Sequence, residues 1–87
     1  GEKMIPQEIK TLIEAGLNSH EVEVNGEGNM FDVTVVSNDF EGKSLVKKQQ
    51  MVYATVNKQI SNGDIHALTI KTFTEKEWQT ASKLKIS

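Results

Sequence analysis

The stretch Asp64-Ile-His-Ala-Leu-Thr-Ile-Lys-Thr-Phe-Thr74, followed at once by Glu75-Lys-Glu-Trp78, decides the fold. Residues 65–73 are bounded by turn residues and rich in β-branched and aromatic side chains, so they predict a strand. Thr74 and Glu77 have the spacing of a capping box, which predicts that a helix begins where the strand ends. His66, one of only two histidines, lies at the start of this predicted strand.

A first helix and a β-hairpin are predicted upstream. Pro6 opens the helix at a position where its missing N–H costs nothing, and Gly16 ends it near Leu17. After it, apolar and polar residues alternate in two runs separated by a turn at 26–29. The apolar positions of these runs are Val22, Val24, Phe31, Val33 and Val35. This alternation predicts two antiparallel strands with one buried face.

One long helix is predicted between the hairpin and the last strand, after a loop at 38–43. Ser44 is a good N-cap, and Asn62-Gly63 is expected to end the helix. Because strand-helix-strand connections are right-handed and parallel in nearly all cases, the third strand should run parallel to its neighbour. The expected buried face of the long helix consists of Leu45, Met51, Val52, Tyr53, Val56 and Ile60.

The predicted order is α-β-β-α-β-α, an α+β two-layer sandwich in which a three-stranded mixed sheet has its helices on one face. The last helix is expected to pack against the rest of the domain through Trp78, Ala81 and Leu84. The 87 residues contain no repeat or linker and are expected to form one domain, 4–87. Residues 1–3 precede Met4, a plausible initiator, and are expected to be a cloning remnant.

Composition argues against several classes of function. The chain has no cysteine, which removes disulfides, thiol catalysis and thiolate metal sites and suits the reducing cytoplasm. No apolar run approaches the roughly 18 residues of a membrane span. No catalytic constellation stands out, so an enzyme is not expected. The net charge is -2 and every basic residue is lysine, which disfavours the arginine-based reading of guanine.

His66 is the residue best suited to bind a metal, because imidazole is a common metal ligand and can replace thiolate on some iron–sulfur clusters. However, strand alternation puts it on the same side as Leu68 and Ile70, which favours a structural, core-side role. His20, before the first strand, is more simply interpreted as an exposed turn residue. The residues alone leave both roles of His66 open.

A lysine cluster at the start of the long helix is a second candidate surface. A helix N-terminus with nearby lysines could hold a phosphate or a carboxylate, although such clusters most often form a solvated face. A further basic region, near the third strand and the C-terminal tail, consists of Lys71, Lys76, Lys83 and Lys85. The candidate partner or nucleic-acid residues are Lys43, Lys47, Lys48, Lys71 and Lys76.

Three segments in order resemble the BolA-like proteins, and specifically their bacterial IbaG-like branch. They are Phe40-Glu-Gly-Lys-Ser-Leu-Val-Lys-Lys-Gln-Gln-Met-Val-Tyr53, Ile65-His-Ala-Leu-Thr-Ile-Lys71 and Thr74-Glu-Lys-Glu-Trp78. The resemblance covers residues 5–84. It implies the α-β-β-α-β-α order reached above, related to the type II KH fold.

The resemblance also implies a function. Family members partner monothiol glutaredoxins and share a 2Fe–2S cluster with them and glutathione, and His66 matches the family's cluster histidine. The chain is therefore expected to be an accessory protein of iron–sulfur and iron homeostasis that holds no cluster when isolated. Other members are described as DNA-binding regulators of morphology and stress response. Weak DNA binding by the lysines is accordingly the alternative function.

The second cluster ligand is where this chain departs from the family. A histidine or cysteine commonly precedes the phenylalanine of Phe31-Asp-Val, and Met30 stands there instead. A thioether is a weak, soft ligand that suits copper(I) better than an iron–sulfur cluster, so we interpret Met30 as a packing residue. The KH relationship does not strengthen the DNA alternative, because KH domains clamp nucleic acid with a Gly-X-X-Gly loop. Residues 40–43 lack that pattern.

Overall fold

A computed structural model of the protein describes the backbone of residues 4–86 and the side chains through residue 83. It contains four α-helices, one short 3-10 helix and three strands. Their bounds are α1 (Pro6–Gly16), β1 (Glu21–Glu27), β2 (Met30–Val36), the 3-10 helix η1 (Asn38–Phe40), α2 (Leu45–Thr55), α3 (Asn57–Ser61), β3 (Ala67–Phe73) and α4 (Glu75–Ile86). None of these described helices is long and apolar enough to cross a membrane.

The three strands form one mixed sheet in the order β1-β2-β3. β1 runs antiparallel to β2, with Glu21 opposite Val36. β3 runs parallel to β2, with Ala67 opposite Met30. The predicted α+β fold with a three-stranded mixed sheet and a parallel third strand is confirmed.

The hydrophobic core lies between one face of the sheet and the helices α1 and α2. It forms because every second residue of β1 and β2 points inward and these residues are apolar. A one-residue slip in register would turn them to the open face of the sheet. Burying each such side chain stabilises the fold by about 1.5–3 kcal/mol before entropy is subtracted. The buried core residues are Ile9, Ile13, Val22, Phe31, Val33, Val35, Phe40, Val52, Val56 and Ile65.

The hairpin turn is tighter than predicted. β1 continues to Glu27, which pairs with Met30, so the turn consists of Gly28 and Asn29 alone. Gly28 has a φ of 66°, in the left-handed region that two-residue hairpin turns require. Gly26 also has a positive φ, and a Cβ there would collide with the Met30 carbonyl oxygen. Both glycines therefore let the chain reverse within two residues.

The long helix predicted between Ser44 and Asn62 is interrupted in the structure. Ser44 is the N-cap, as predicted, but α2 ends at Thr55 and α3 begins at Asn57. The residue between them, Val56, has φ -124° and ψ 20°, outside the helical region. The prediction of a single continuous helix is therefore wrong.

Hydrogen bonding at the end of α2 accounts for this break. The Thr55 hydroxyl donates to the Val52 carbonyl at 2.6 Å, which is a bond that bends helices. The Val56 N–H donates to the Tyr53 carbonyl at 3.1 Å, an i to i−3 bond that tightens the last turn. The resulting bend leaves the Val56 side chain fully buried.

Two residues assigned to the buried face of the long helix are exposed. Leu45 is 65% exposed and Tyr53 is 39% exposed. Leu45 at the start of α2 is not part of the core, whereas Phe40 of η1, five residues earlier, is fully buried in it. Of the predicted face, Val52 and Val56 are buried and Met51 and Ile60 are half-buried.

The start of α4 forms the capping box predicted from Thr74 and Glu77. The Thr74 N–H donates to the Glu77 carboxylate at 2.8 Å, and the Glu77 N–H donates to the Thr74 hydroxyl at 3.2 Å. Trp78 packs on Phe73, with ring centroids 5.2 Å apart. The predicted packing of Leu84 lies outside the described side chains.

Candidate functional site

His66 lies in the bend before β3 rather than inside the strand. Its backbone N–H donates to the Asn29 carbonyl at 2.7 Å, and the Ala67 N–H donates to the same oxygen at 3.2 Å. Two donors on one carbonyl anchor the start of β3 to the β1–β2 turn. β3 therefore begins at Ala67, two residues later than the predicted Ile65.

The side chain of His66 is exposed, whereas Ile65 before it is only 2% exposed. The interpretation that His66 shares the core side with Leu68 and Ile70 is wrong, because the residue precedes the strand and the alternation does not extend to it. Among the described residues its ring has no hydrogen-bond partner and no ion pair. A neutral imidazole in this position offers a nitrogen lone pair to an external metal.

Met30 is the first residue of β2, directly opposite Ala67. It is therefore on the strand next to His66 and at the same end of the sheet. Its side chain is 61% exposed, because it belongs to the sheet face that α1 and α2 leave open. The interpretation of Met30 as a packing residue is wrong.

His20, the other histidine, is engaged with its neighbours. Its Nε2 lies 3.2 Å from a Glu75 carboxylate oxygen and 3.3 Å from the Asn38 amide nitrogen. The Glu75 N–H in turn donates to the Asn38 amide oxygen at 3.1 Å. This group ties the residues before β1 to η1 and to the start of α4. His20 is 49% exposed in the bend before β1, which agrees with the predicted exposed turn residue.

Four of the five candidate lysines meet at one end of the molecule. Lys43 and Lys47 are exposed at the start of α2. Lys48 and Lys76 line one open depression of about 260 Å³ between α2 and α4, together with Glu77. The sequence grouped Lys76 with the C-terminal lysines, but the fold places it beside Lys48. The four residues Lys43, Lys47, Lys48 and Lys76 are called the lysine end below.

Lys71 is separate from the lysine end. It lies on the open face of the sheet, in a shallow depression that it shares with Glu23 and Asp32. The Lys83 side chain is exposed, and Lys85 lies outside the described side chains.

His66 and the lysine end are on opposite ends of β3. The strand has seven residues, and at about 3.3 Å per residue it separates the two regions by roughly 20 Å. Lys76 is therefore remote from His66, although the two are close in the chain. The predicted strand over 65–73 already implied this separation, since His66 was placed at its start and the last helix at its far end.

The described residues contain no group of three or more histidine, aspartate or glutamate side chains that could hold a metal ion. What His66 offers is one nitrogen ligand, with Met30 nearby. One imidazole and one thioether leave most of the coordination positions of a metal without a ligand from the described residues.

Comparison with known proteins gives a consistent result. A family model described as "BolA-like protein" matches residues 2–77. The chain is 42% identical over 77 residues to the "Acid stress protein IbaG" of Escherichia coli strain K12, covering 88% of this chain and 92% of that protein.

Solved structures agree with this match. The crystal structure of a Bol-like protein from Babesia bovis is 27% identical and has a TM-score of 0.76, with 94% of this chain and 98% of that chain covered. The solution structure of BolA1 from Mus musculus is 25% identical with a TM-score of 0.77, covering 100% and 83% of the two chains.

Proposed function

Because the chain belongs to the BolA-like family, we propose that it is a non-enzymatic accessory protein of iron–sulfur and iron homeostasis. It binds a monothiol glutaredoxin and shares a 2Fe–2S cluster with it through His66. The observation that supports this most strongly is the exposed imidazole of His66, which has no partner among the described residues. The relative named as an acid stress protein supports a role in the stress response. The absence of cysteine from the chain suits the reducing cytoplasm.

The chemistry of the donor set supports a shared cluster. Iron–sulfur clusters take mostly thiolates, and imidazole can replace some of them. The chain has no cysteine, so the thiolates must come from the glutaredoxin and glutathione. The Asn29 carbonyl fixes the backbone of His66, which lowers the entropy cost of bringing its ring to a partner. Met30 is a poor iron ligand, so we expect a weaker cluster than one with histidine or cysteine there.

A mixing experiment tests this function. A cluster-loaded monothiol glutaredoxin is titrated with the protein while visible absorption and circular dichroism are recorded. We expect the wild-type protein to change the spectrum and His66→Ala to abolish that change. His20→Ala is the matched control, since it removes the other imidazole, and should retain the change. An unaltered spectrum at saturating wild-type protein would contradict the proposal.

A second candidate function is weak, electrostatic DNA binding in stress regulation. It rests on the lysine end, where three lysines at the start of α2 are joined by Lys76 of α4. Glu41 and Glu77 line the same depression and reduce its positive charge. The two functions use surfaces at opposite ends of β3, so they can be tested separately.

A further inference from the structure

The outer edge of β3 carries no further strand, since β3 is the last strand in the sheet. At its two ends, the Ala67 N–H donates to Asn29 of the turn at 3.2 Å and the Phe73 carbonyl accepts from Ser37 at 2.8 Å. The odd-numbered residues of β3 therefore bond towards β2. In a parallel pair, the N–H and C=O groups of the alternate residues then point outward. These residues are Leu68, Ile70 and Thr72.

Only one of these outward groups has a hydrogen-bond partner among the described residues. The Leu68 carbonyl accepts the Tyr53 hydroxyl at 3.4 Å, a long bond that leaves a second lone pair available. Natural edge strands are usually blunted by proline, bulges or charges. β3 has no proline, and its register with β2 is unbroken over seven residues. Its single charged residue is Lys71, on the open face of the sheet.

The side chains along this edge are partly apolar. Tyr53 is 39% exposed, and Leu68 and Ile70 are half-buried beside it. A strand added at this edge would bury the remaining apolar surface and satisfy the outward backbone groups together, as in other cases of strand addition.

We propose that β3 pairs antiparallel with β3 of a second copy, joining two sheets into one of six strands about a two-fold axis. The sequence of the strand suits this pairing when the axis passes through Ile70. Leu68 then lies opposite Thr72, and Thr69 lies opposite Lys71, so no like charges face each other. A shift that centres the pairing on residue 71 would place Lys71 opposite itself, which is unfavourable.

Charged substitutions of Thr69 test this register specifically. In this register the two-fold axis creates two pairs between residue 69 of one copy and Lys71 of the other. Thr69→Glu would make both pairs attractive, and Thr69→Lys would make both repulsive. We expect Thr69→Glu to tighten the dimer dissociation constant about fivefold and Thr69→Lys to weaken it about fivefold. The measurement is sedimentation equilibrium over a concentration series, with thermal unfolding to check that each variant is folded.

Asn25 supplies a matched control. It is exposed on β1, at the other edge of the sheet, and both Asn25 and Thr69 lie directly opposite Asp32 within the chain. Asn25→Glu and Asn25→Lys make the same charge changes and should leave the dissociation constant unchanged. The proposal is overturned if the wild-type protein stays monomeric up to about 1 mM. It is overturned equally if the Thr69 variants do not shift in opposite directions, or if the Asn25 variants shift as much.

Discussion

Glu77 shows how a single residue couples stability to pH at the start of α4. The hydrogen bond from the Thr74 backbone N–H lowers the pKa of the Glu77 carboxyl. The Thr74 side chain and the charge of Lys48 act in the same direction, and desolvation opposes them. Because the folded pKa is depressed, this bonding stabilises the fold above the pKa of the unfolded chain, and the stabilisation is lost as pH falls through the folded pKa.

The first prediction concerns this residue. Glu77→Gln keeps an acceptor for the Thr74 N–H but removes the charge. The wild-type free energy of unfolding should exceed that of the variant at neutral pH and converge with it in acid, where Glu77 is protonated. Urea unfolding at a series of pH values measures the free energy of unfolding of the wild type and of the variant. Thr74→Ala, which removes the cap hydroxyl, should cost about 1 kcal/mol at neutral pH. A difference between wild type and Glu77→Gln that stays constant with pH would contradict the assigned cause.

Single residues also show what the sequence could predict. The capping box was predictable, because both of its bonds join residues three apart in the chain. The exposure of His66 was not predictable from strand alternation. It depends on where β3 begins. The His66 and Ala67 N–H groups both donate to the Asn29 carbonyl, and the strand begins at Ala67. Asn29 belongs to a turn far away in the chain, so this contact is not visible in the local sequence. The resemblance to a family identified His66 as a candidate ligand where alternation favoured a core residue.

At the scale of elements, the sheet was predictable and the long helix was only partly so. Alternating apolar residues determine β1 and β2, and the crossover rule determines the parallel β3. The break after Thr55 depends on the hydroxyl bond to Val52 and on core space for Val56, neither of which periodicity describes. Leu45 was misassigned because periodicity does not show at which turn of a helix its contact with the core begins.

The second prediction compares an apolar residue buried in one helix with an apolar residue exposed in another. Ile13 is fully buried in α1, whereas Leu45 is 65% exposed in α2. Ile13→Ala should lower the free energy of unfolding by about 2–5 kcal/mol through lost burial and a cavity. Leu45→Ala should change it by no more than about 0.5 kcal/mol. Denaturant unfolding measures both, and a large loss for Leu45→Ala would show that this residue is buried after all.

At the scale of the whole molecule, β3 separates two surfaces of different chemistry. His66 and Met30 lie at its start, and the lysine end lies beyond its other end. A partner that contacts His66 need not cover the lysines. Lys47→Ala should therefore leave the mixed cluster spectrum unchanged, which the order of residues along the chain could not have predicted.

The third prediction concerns DNA binding at the lysine end. Four lysines in contact with phosphates would lose roughly 100-fold in affinity between about 50 and 200 mM salt. Fluorescence anisotropy with a duplex and its shuffled counterpart should show this loss and equal affinity for both. Lys47→Ala should reduce the salt slope by about one, whereas Lys58→Ala, an exposed lysine of α3, should not. Sequence-selective binding at physiological salt would instead favour a regulator.

Nitrogen ligation of the shared cluster by His66 is tested most directly by pulsed electron paramagnetic resonance of the reduced complex. The His20→Ala protein, in which His66 is the only histidine, is labelled with ¹⁵N-histidine and mixed with unlabelled, cluster-loaded glutaredoxin. We expect a strongly coupled ¹⁵N signal that disappears when His66→Ala is added to the same protein. A complex that forms without any ¹⁵N coupling would contradict the role of His66 as a cluster ligand.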